Sequence, residues 1–80
     1  MDAKVKVACT SASAKLYNVM VTWCGKIRIY NDVEIHQVAA DNCQVYWREG
    51  FGKIPCNIDT GFGMENLAWW LSETAYANPR

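Results

Sequence analysis

Four cysteines and one histidine are the residues whose types could support metal binding or nucleophilic catalysis: Cys9, Cys24, Cys43, Cys56 and His36. No two cysteines are spaced as a Cys-x-x-Cys clip, so a zinc site would need ligands from four separate strands or turns. Free cysteines more often behave as small buried hydrophobic residues. The sequence therefore predicts no metal site, and it contains no motif that indicates a cofactor.

His36 is also the candidate general base at neutral pH. A catalytic nucleophile needs a positioned base and a third group that orients this base. Since His36 follows the alternating Val33 and Ile35, it is expected on the wetter face of a strand, beside Glu34. Paired carboxylates would need a cleft that desolvates one of them, and a small sheet with one helix rarely encloses such a cleft. We therefore predict no catalytic residues, no enzymatic activity and no small-molecule substrate.

Length and composition favour one small domain. The chain has 80 residues, of which 51% are hydrophobic. This is enough apolar area for a single core over residues 1–80, and too short a chain for two domains. The N-terminus has no apolar leader and no apolar run is long enough to span a bilayer, so we expect a cytoplasmic protein with reduced thiols and no membrane partner.

The first three quarters of the chain alternate between apolar and polar residues with the period of two that is typical of strands. Gly25 predicts a tight hairpin between Leu16–Trp23 and Ile27–Tyr30. Asn31-Asp32 fits either a second turn or a bulge inside one long strand. The remaining predicted strands are residues 4–9, 33–38, 43–48 and 53–57, and a reversal at Gly50–Gly52 precedes the last of them. Pro55 predicts that this last strand lies at the edge of the sheet, where a missing N–H is tolerated.

From Met64 the apolar period changes to that of a helix, with Met64, Leu67, Ala68, Leu71 and Ala75 on one stripe that Trp70 and Thr74 widen. Either Thr60 or Gly63 can supply the N-cap. The predicted fold is therefore α+β: an antiparallel meander of about five to six strands with one C-terminal helix packed on it.

Trp69 and Tyr76 lie opposite the apolar stripe of this helix, next to Glu65 and Glu73. Exposed Trp and Tyr often anchor protein interfaces, so these residues form a candidate docking surface. The alternative is that the Gly50–Gly63 loop covers Trp69.

Charge is unevenly distributed along a chain that is neutral overall. Residues 1–30 are mainly basic and the rest is mainly acidic, which indicates either an acidic partner-binding surface in the second half or charges that pair with each other on neighbouring strands. The residues predicted to bind a protein partner are Trp69, Tyr76, Glu65, Glu73, Asp59 and Glu49.

Two alternatives to this hypothesis stay open. Lys4 and Lys6 share one strand face, and Lys26 and Arg28 share another, so these basic residues could bind single-stranded nucleic acid if a nearby tyrosine were exposed for base stacking. The candidate stacking residues are Tyr17, Tyr30 and Tyr46. The second alternative is a structural or self-associating protein that pairs through an exposed edge strand.

The overall pattern resembles the small phage-encoded anti-CRISPR inhibitors of type I surveillance (Cascade) complexes. The resemblance covers the whole chain: small size, tandem hairpins such as Leu16–Tyr30, and a terminal helix that begins Met-Glu-Asn-Leu-Ala-Trp-Trp-Leu at residues 64–71. These inhibitors share no diagnostic motif. The resemblance implies a non-enzymatic inhibitor in the host bacterial cytoplasm. Such an inhibitor would bind protein subunits of the complex and block target DNA binding or nuclease recruitment.

Overall fold

The structure, a computed structural model, describes the backbone of residues 3–77 and the side chains of residues 3–74. Within this range the chain forms five strands and then one helix. These are β1 (Lys4–Ser11), β2 (Leu16–Trp23), β3 (Lys26–Ala39), β4 (Asn42–Trp47), β5 (Gly50–Ile54) and α1 (Met64–Ala77). Neighbouring strands pair antiparallel in the order β1-β2-β3-β4-β5. The predicted α+β meander with a C-terminal helix is confirmed.

The helix α1 covers one face of the sheet. Because α1 contacts both edge strands, β1 and β5, the sheet wraps around one side of the helix. The apolar helix stripe lies in the core as predicted for Leu67 and Leu71, which are fully buried, and for Met64, Ala68 and Thr74, which are nearly so. The side chain of Ala75 lies outside the described residues. The sheet contributes the buried residues Val19, Val21, Tyr30, Val33, Ile35, Cys43, Val45, Trp47 and Ile54. We call this side of the sheet the helix face and the opposite side the open face.

A two-residue turn joins β2 and β3, as Gly25 predicts. Cys24 and Gly25 both have positive φ, 48° and 73°, and Trp23 pairs with Lys26 across the turn. Positive φ at both central residues is typical of a type I′ hairpin, whose twist matches that of the strands.

Asn31 and Asp32 form a bulge inside one long strand, which decides between the two predicted alternatives. The register between β2 and β3 shifts between Tyr17 and Val19, so the single residue Asn18 lies opposite both Asn31 and Asp32. Asp32 has a φ of 56°, and its N–H donates to the Asn18 Oδ1 at 3.3 Å. The extra residue changes the phase of the strand, so Tyr30 and Val33 both point to the helix face although they are three positions apart.

The predicted reversal at Gly50–Gly52 is wrong, and the last strand, predicted over residues 53–57, begins and ends three residues earlier, at Gly50–Ile54. The chain reverses instead at Arg48 and Glu49, where Arg48 has a φ of 57°. Both glycines lie inside β5, and Pro55 follows the strand. The glycines make room for α1, because a Cβ on Gly52 would overlap the Trp70 indole and a Cβ on Gly50 would lie 2.9 Å from the Thr74 Cγ2. The prediction that this strand lies at the sheet edge is confirmed.

The segment between β5 and α1 is fixed by side-chain amides. The Gln37 Nε2 donates to the Cys56 carbonyl at 3.0 Å, and the Gln37 Oε1 accepts from the Ile58 N–H at 2.9 Å. Asn66 donates to the Pro55 carbonyl at 2.9 Å. Gly63, at the predicted N-cap position, has a φ of 69° and stands so close to the Pro55 carbonyl that a Cβ would clash. These contacts set the position of α1 over the sheet.

The packing of Trp70 on Gly52 gives a direct test of the fold. We expect Gly52→Ala to lower the free energy of unfolding by about 1–3 kcal/mol, because the new methyl group overpacks the site. Urea denaturation measures this change. Lys53→Ala, at the next and exposed position, is the control and should change stability by less than about 0.5 kcal/mol. Equal stability of the wild type and Gly52→Ala would contradict the described packing.

Candidate interaction surface

Trp69 is exposed on the outer side of α1, with 54% of its surface accessible. Glu65 and Glu73 are also exposed, one helical turn before and after it. Residues four positions apart lie on the same side of a helix, so the three side chains form one stripe with the indole between two carboxylates. The Gly50–Gly63 loop therefore does not cover Trp69. The side chain of Tyr76 lies outside the described residues.

An apolar cavity adjoins this stripe, between α1 and the β2–β3 hairpin. It has a volume of about 160 Å³ and is lined by Val21, Trp23, Tyr30, Ala68, Trp69 and Ser72. A partner that contacts Trp69 would thus meet an indole, a small apolar depression and two acidic side chains within a single area. We call the Glu65/Trp69/Glu73 stripe together with this cavity the Trp69 surface.

The other two predicted acidic residues lie elsewhere. Glu49 is exposed in the β4–β5 turn, next to Gly50 and its contact with Thr74. Asp59 lines a separate cavity with Lys15 and Tyr17, in which burial, with a smaller contribution from nearby charges, raises the pKa of the Tyr17 phenol. Asp59 therefore lies apart from the stripe on α1, and Glu65 and Glu73 are the two predicted acidic residues that flank Trp69 on the helix.

The four predicted basic residues divide between the two sides of the sheet. Lys4 pairs with Thr22 and Lys6 pairs with Met20, which places both lysines on the open face. Arg28 pairs with Val21 and Lys26 pairs with Trp23, which places these two on the helix face. A bound nucleic acid strand on one side of the sheet could contact one pair but not both.

Of the three candidate stacking tyrosines, Tyr46 is exposed, Tyr17 is half-buried and Tyr30 is buried. Tyr46 lies on the open face directly opposite Phe51, with ring centroids 4.8 Å apart. Phe51 was missed because it falls between two glycines that favoured a turn. The sequence signal that could have found it is the alternation of Phe51 with Gly50 and Gly52, if all three are placed in a strand.

His36 lies on the open face as predicted, and its Nε2 is 2.6 Å from the Glu34 Oε2. Its ring also packs edge-on against Tyr46, at 5.7 Å between centroids. Cross-strand pairing places Gln44 opposite His36, whereas Cys43 pairs with Gln37 and points to the helix face. Cys43, the cysteine on the neighbouring strand, thus lies on the opposite face of the sheet from the His36 imidazole.

The cysteines fall into two classes. Cys9 and Cys24 are exposed, whereas Cys43 and Cys56 are buried. Burial, with a further contribution from the adjacent Cys43 thiol, raises the pKa of Cys56 from 9.0 to about 12. Within the described part of the chain, no group of three or more His, Cys, Asp or Glu residues could hold a metal ion.

The raised pKa of Cys56 predicts a loss of stability in alkali. Folding favours the protonated thiol, so the stabilisation is present below pH 9 and is lost as the pH rises from about 9 towards 12. Urea denaturation at several pH values should show this fall, and it should be smaller in Cys56→Ala than in the wild type. The exposed Cys24→Ala variant is the control and should keep the wild-type pH dependence. A fall that is identical in the wild type and Cys56→Ala would contradict the assignment.

Comparison with known protein families, curated proteins and solved structures found no match to this chain. No helix in residues 3–77 has the length and apolarity that a membrane crossing requires.

Proposed function

We propose that this protein acts by binding another protein through the Trp69 surface, and that it is an inhibitor rather than an enzyme. The observation that carries this proposal is the exposed Trp69 indole, which stands between Glu65 and Glu73 beside an apolar cavity. Tryptophan is among the residues that most often dominate binding energy when a partner buries them. Removal of this exposed indole from water by a partner would contribute favourable free energy to binding.

The flanking carboxylates favour a basic partner. Exposed acidic side chains around an aromatic anchor steer association with a positively charged surface and disfavour association with a negatively charged one. A nucleic-acid-binding site lined by lysines and arginines has this chemistry. The resemblance to the small anti-CRISPR inhibitors supplies the specific target of this proposal: a type I CRISPR surveillance complex in a bacterial host, in which the protein would block target DNA binding or nuclease recruitment by occupying such a site.

Pull-down of a purified type I surveillance complex tests the proposal. We expect Trp69→Ala to weaken binding by about 30-fold or more, which corresponds to a hot-spot residue worth about 2 kcal/mol. Glu65→Lys combined with Glu73→Lys should slow association and reverse its salt dependence. Phe62→Ala is the matched control, because Phe62 is an aromatic residue that precedes the helix and is nearly as exposed as Trp69, 53% against 54%.

Two results would contradict the proposal. Wild-type protein that does not bind the complex would remove this target. Binding that survives both the Trp69 and the Glu65/Glu73 substitutions, in variants that melt like the wild type, would remove the Trp69 surface as the site.

A second candidate function is the binding of single-stranded nucleic acid on the open face. It is favoured by the exposed pair Tyr46 and Phe51 on neighbouring strands, since aromatic rings on an open sheet can stack bases. Lys4, Lys6 and Lys53 lie on the same face. Lys26 and Arg28 lie on the helix face and do not belong to this site.

Fluorescence anisotropy with labelled single-stranded DNA at several salt concentrations separates the two functions. If the open face binds nucleic acid, affinity should fall steeply with salt, and Tyr46→Ala or Phe51→Ala should each cost about 1–3 kcal/mol of binding energy. Trp69→Ala should leave this binding unchanged. Absence of binding at low salt would exclude the second candidate.

A further inference from the structure

The first half of β3 has a free edge. Its pairing with β4 begins at Glu34 and Tyr46, so among the described residues no strand pairs with Lys26–Asn31 on the side away from β2. In a two-residue hairpin the residues that flank the turn exchange hydrogen bonds, and hydrogen-bonded and non-hydrogen-bonded pairs then alternate along the strand. Trp23–Lys26 is therefore a hydrogen-bonded pair, and the N–H and C=O groups of Ile27 and Ile29 point to the free edge.

A groove of about 530 Å³ runs along this edge. It is lined by Arg28, Ile29, Tyr30, Asn31, Asp32, Trp47 and Arg48. Trp47 closes one end, where its indole N–H donates to the Asn31 carbonyl at 2.9 Å. The groove thus lies beyond the end of β4, beside the edge of β3 with which no described strand pairs.

The two sides of this edge differ in chemistry. On the open face, Ile27 and Ile29 are 64% and 56% exposed. On the helix face, the Arg28 guanidinium lies 5.8 Å from the Trp23 ring centre and the Arg48 guanidinium lies 4.2 Å from the Trp47 ring centre. Neither arginine forms an ion pair with a carboxylate in the described part of the chain. Among the residues that the structure describes, Asp32, at the bulge, is the one acidic residue that lines the groove.

From this geometry we infer that the free edge of β3 binds an extended segment of another protein in which acidic and apolar residues alternate. Such a segment adds a strand to the sheet through backbone hydrogen bonds with Ile27 and Ile29. Because side chains alternate between the faces of a strand, its apolar residues would lie beside Ile27 and Ile29, and its acidic residues would lie beside Arg28 and Arg48. This inference does not rest on the proposed function: the groove adjoins the Trp69 surface at Tyr30, but the β3 backbone edge and the two arginines that carry the inference are not part of that surface.

Charge disfavours a second copy of this chain as the occupant. The antiparallel register that sets Ile27 opposite Ile29 of another copy also sets Arg28 opposite Arg28 of that copy. Like charges directly opposite each other destabilise a strand pair. The carboxylates of an acidic segment would instead lie beside the Arg28 and Arg48 guanidinium groups. Charge complementarity therefore favours a different protein as the partner.

Amide hydrogen exchange measured by NMR tests the inference. The probe is a synthetic peptide of about eight residues, a usual strand length, that alternates valine and glutamate. We expect it to protect the Ile27 and Ile29 amides from exchange. The control peptide alternates valine and lysine and should give no protection.

Charge reversal provides the second arm of the experiment. Arg28→Glu combined with Arg48→Glu should weaken binding of the acidic peptide by about tenfold or more and should strengthen binding of the basic peptide. Lys53→Glu is the matched control, because Lys53 is exposed on the open face of β5, and it should leave both affinities unchanged.

Three outcomes would overturn the inference. One is the absence of protection at Ile27 and Ile29 by the acidic peptide. Another is equal protection by both peptides. The third is protection of these amides without peptide, together with a doubled mass in light scattering, which would make a second copy of the chain the occupant.

Discussion

The extra residue in β3 is the constraint on which the two faces of this protein depend. In an uninterrupted strand, the period of two would place Ile27, Ile29, Val33 and Ile35 on one face. The bulge at Asn31 and Asp32 shifts the phase, so Val33 and Ile35 enter the core whereas Ile27 and Ile29 lie on the open face. Burial of each isoleucine would have contributed about 1.5–3 kcal/mol, so the fold leaves substantial apolar area available for a partner.

The same bulge separates a part of β3 that pairs with β4 from a part that has a free edge. Beyond the bulge, β3 pairs with β2 at Val33 and Glu34 and with β4 from Glu34 onwards. Before it, β3 pairs with β2 alone, and the Trp47 indole bonded to the Asn31 carbonyl marks the boundary. Proteins usually block free edges with charge, proline or short length. Here Arg28 and Arg48 line the edge, which makes it selective for acidic partners and protects it against pairing with itself.

Features that depend on local chemistry could be predicted from the sequence. The hairpin followed from Gly25, and the buried helix stripe followed from the spacing of Met64, Leu67 and Leu71. The errors arose where a distant residue decides the local structure. Gly50 and Gly52 have the composition of a turn, but they lie in a strand because Trp70, which comes many residues later, packs against them. The groove at β3 could not be predicted, because it depends on where the β3–β4 pairing begins, and no local signal marks that point.

One helix cannot cover both faces of a five-stranded sheet, so this domain cannot bury all of its apolar side chains. The helix face is closed by Leu67, Leu71 and the ring of Trp70 packed on β5. The open face keeps Tyr46 and Phe51 in contact with each other and with water. The exposed large apolar residues include Tyr46 and Phe51 on this face, Ile27 and Ile29 at the β3 edge, and Trp69 on α1. Because no element of the described chain covers them, they are the apolar area that the proposed partners would bury.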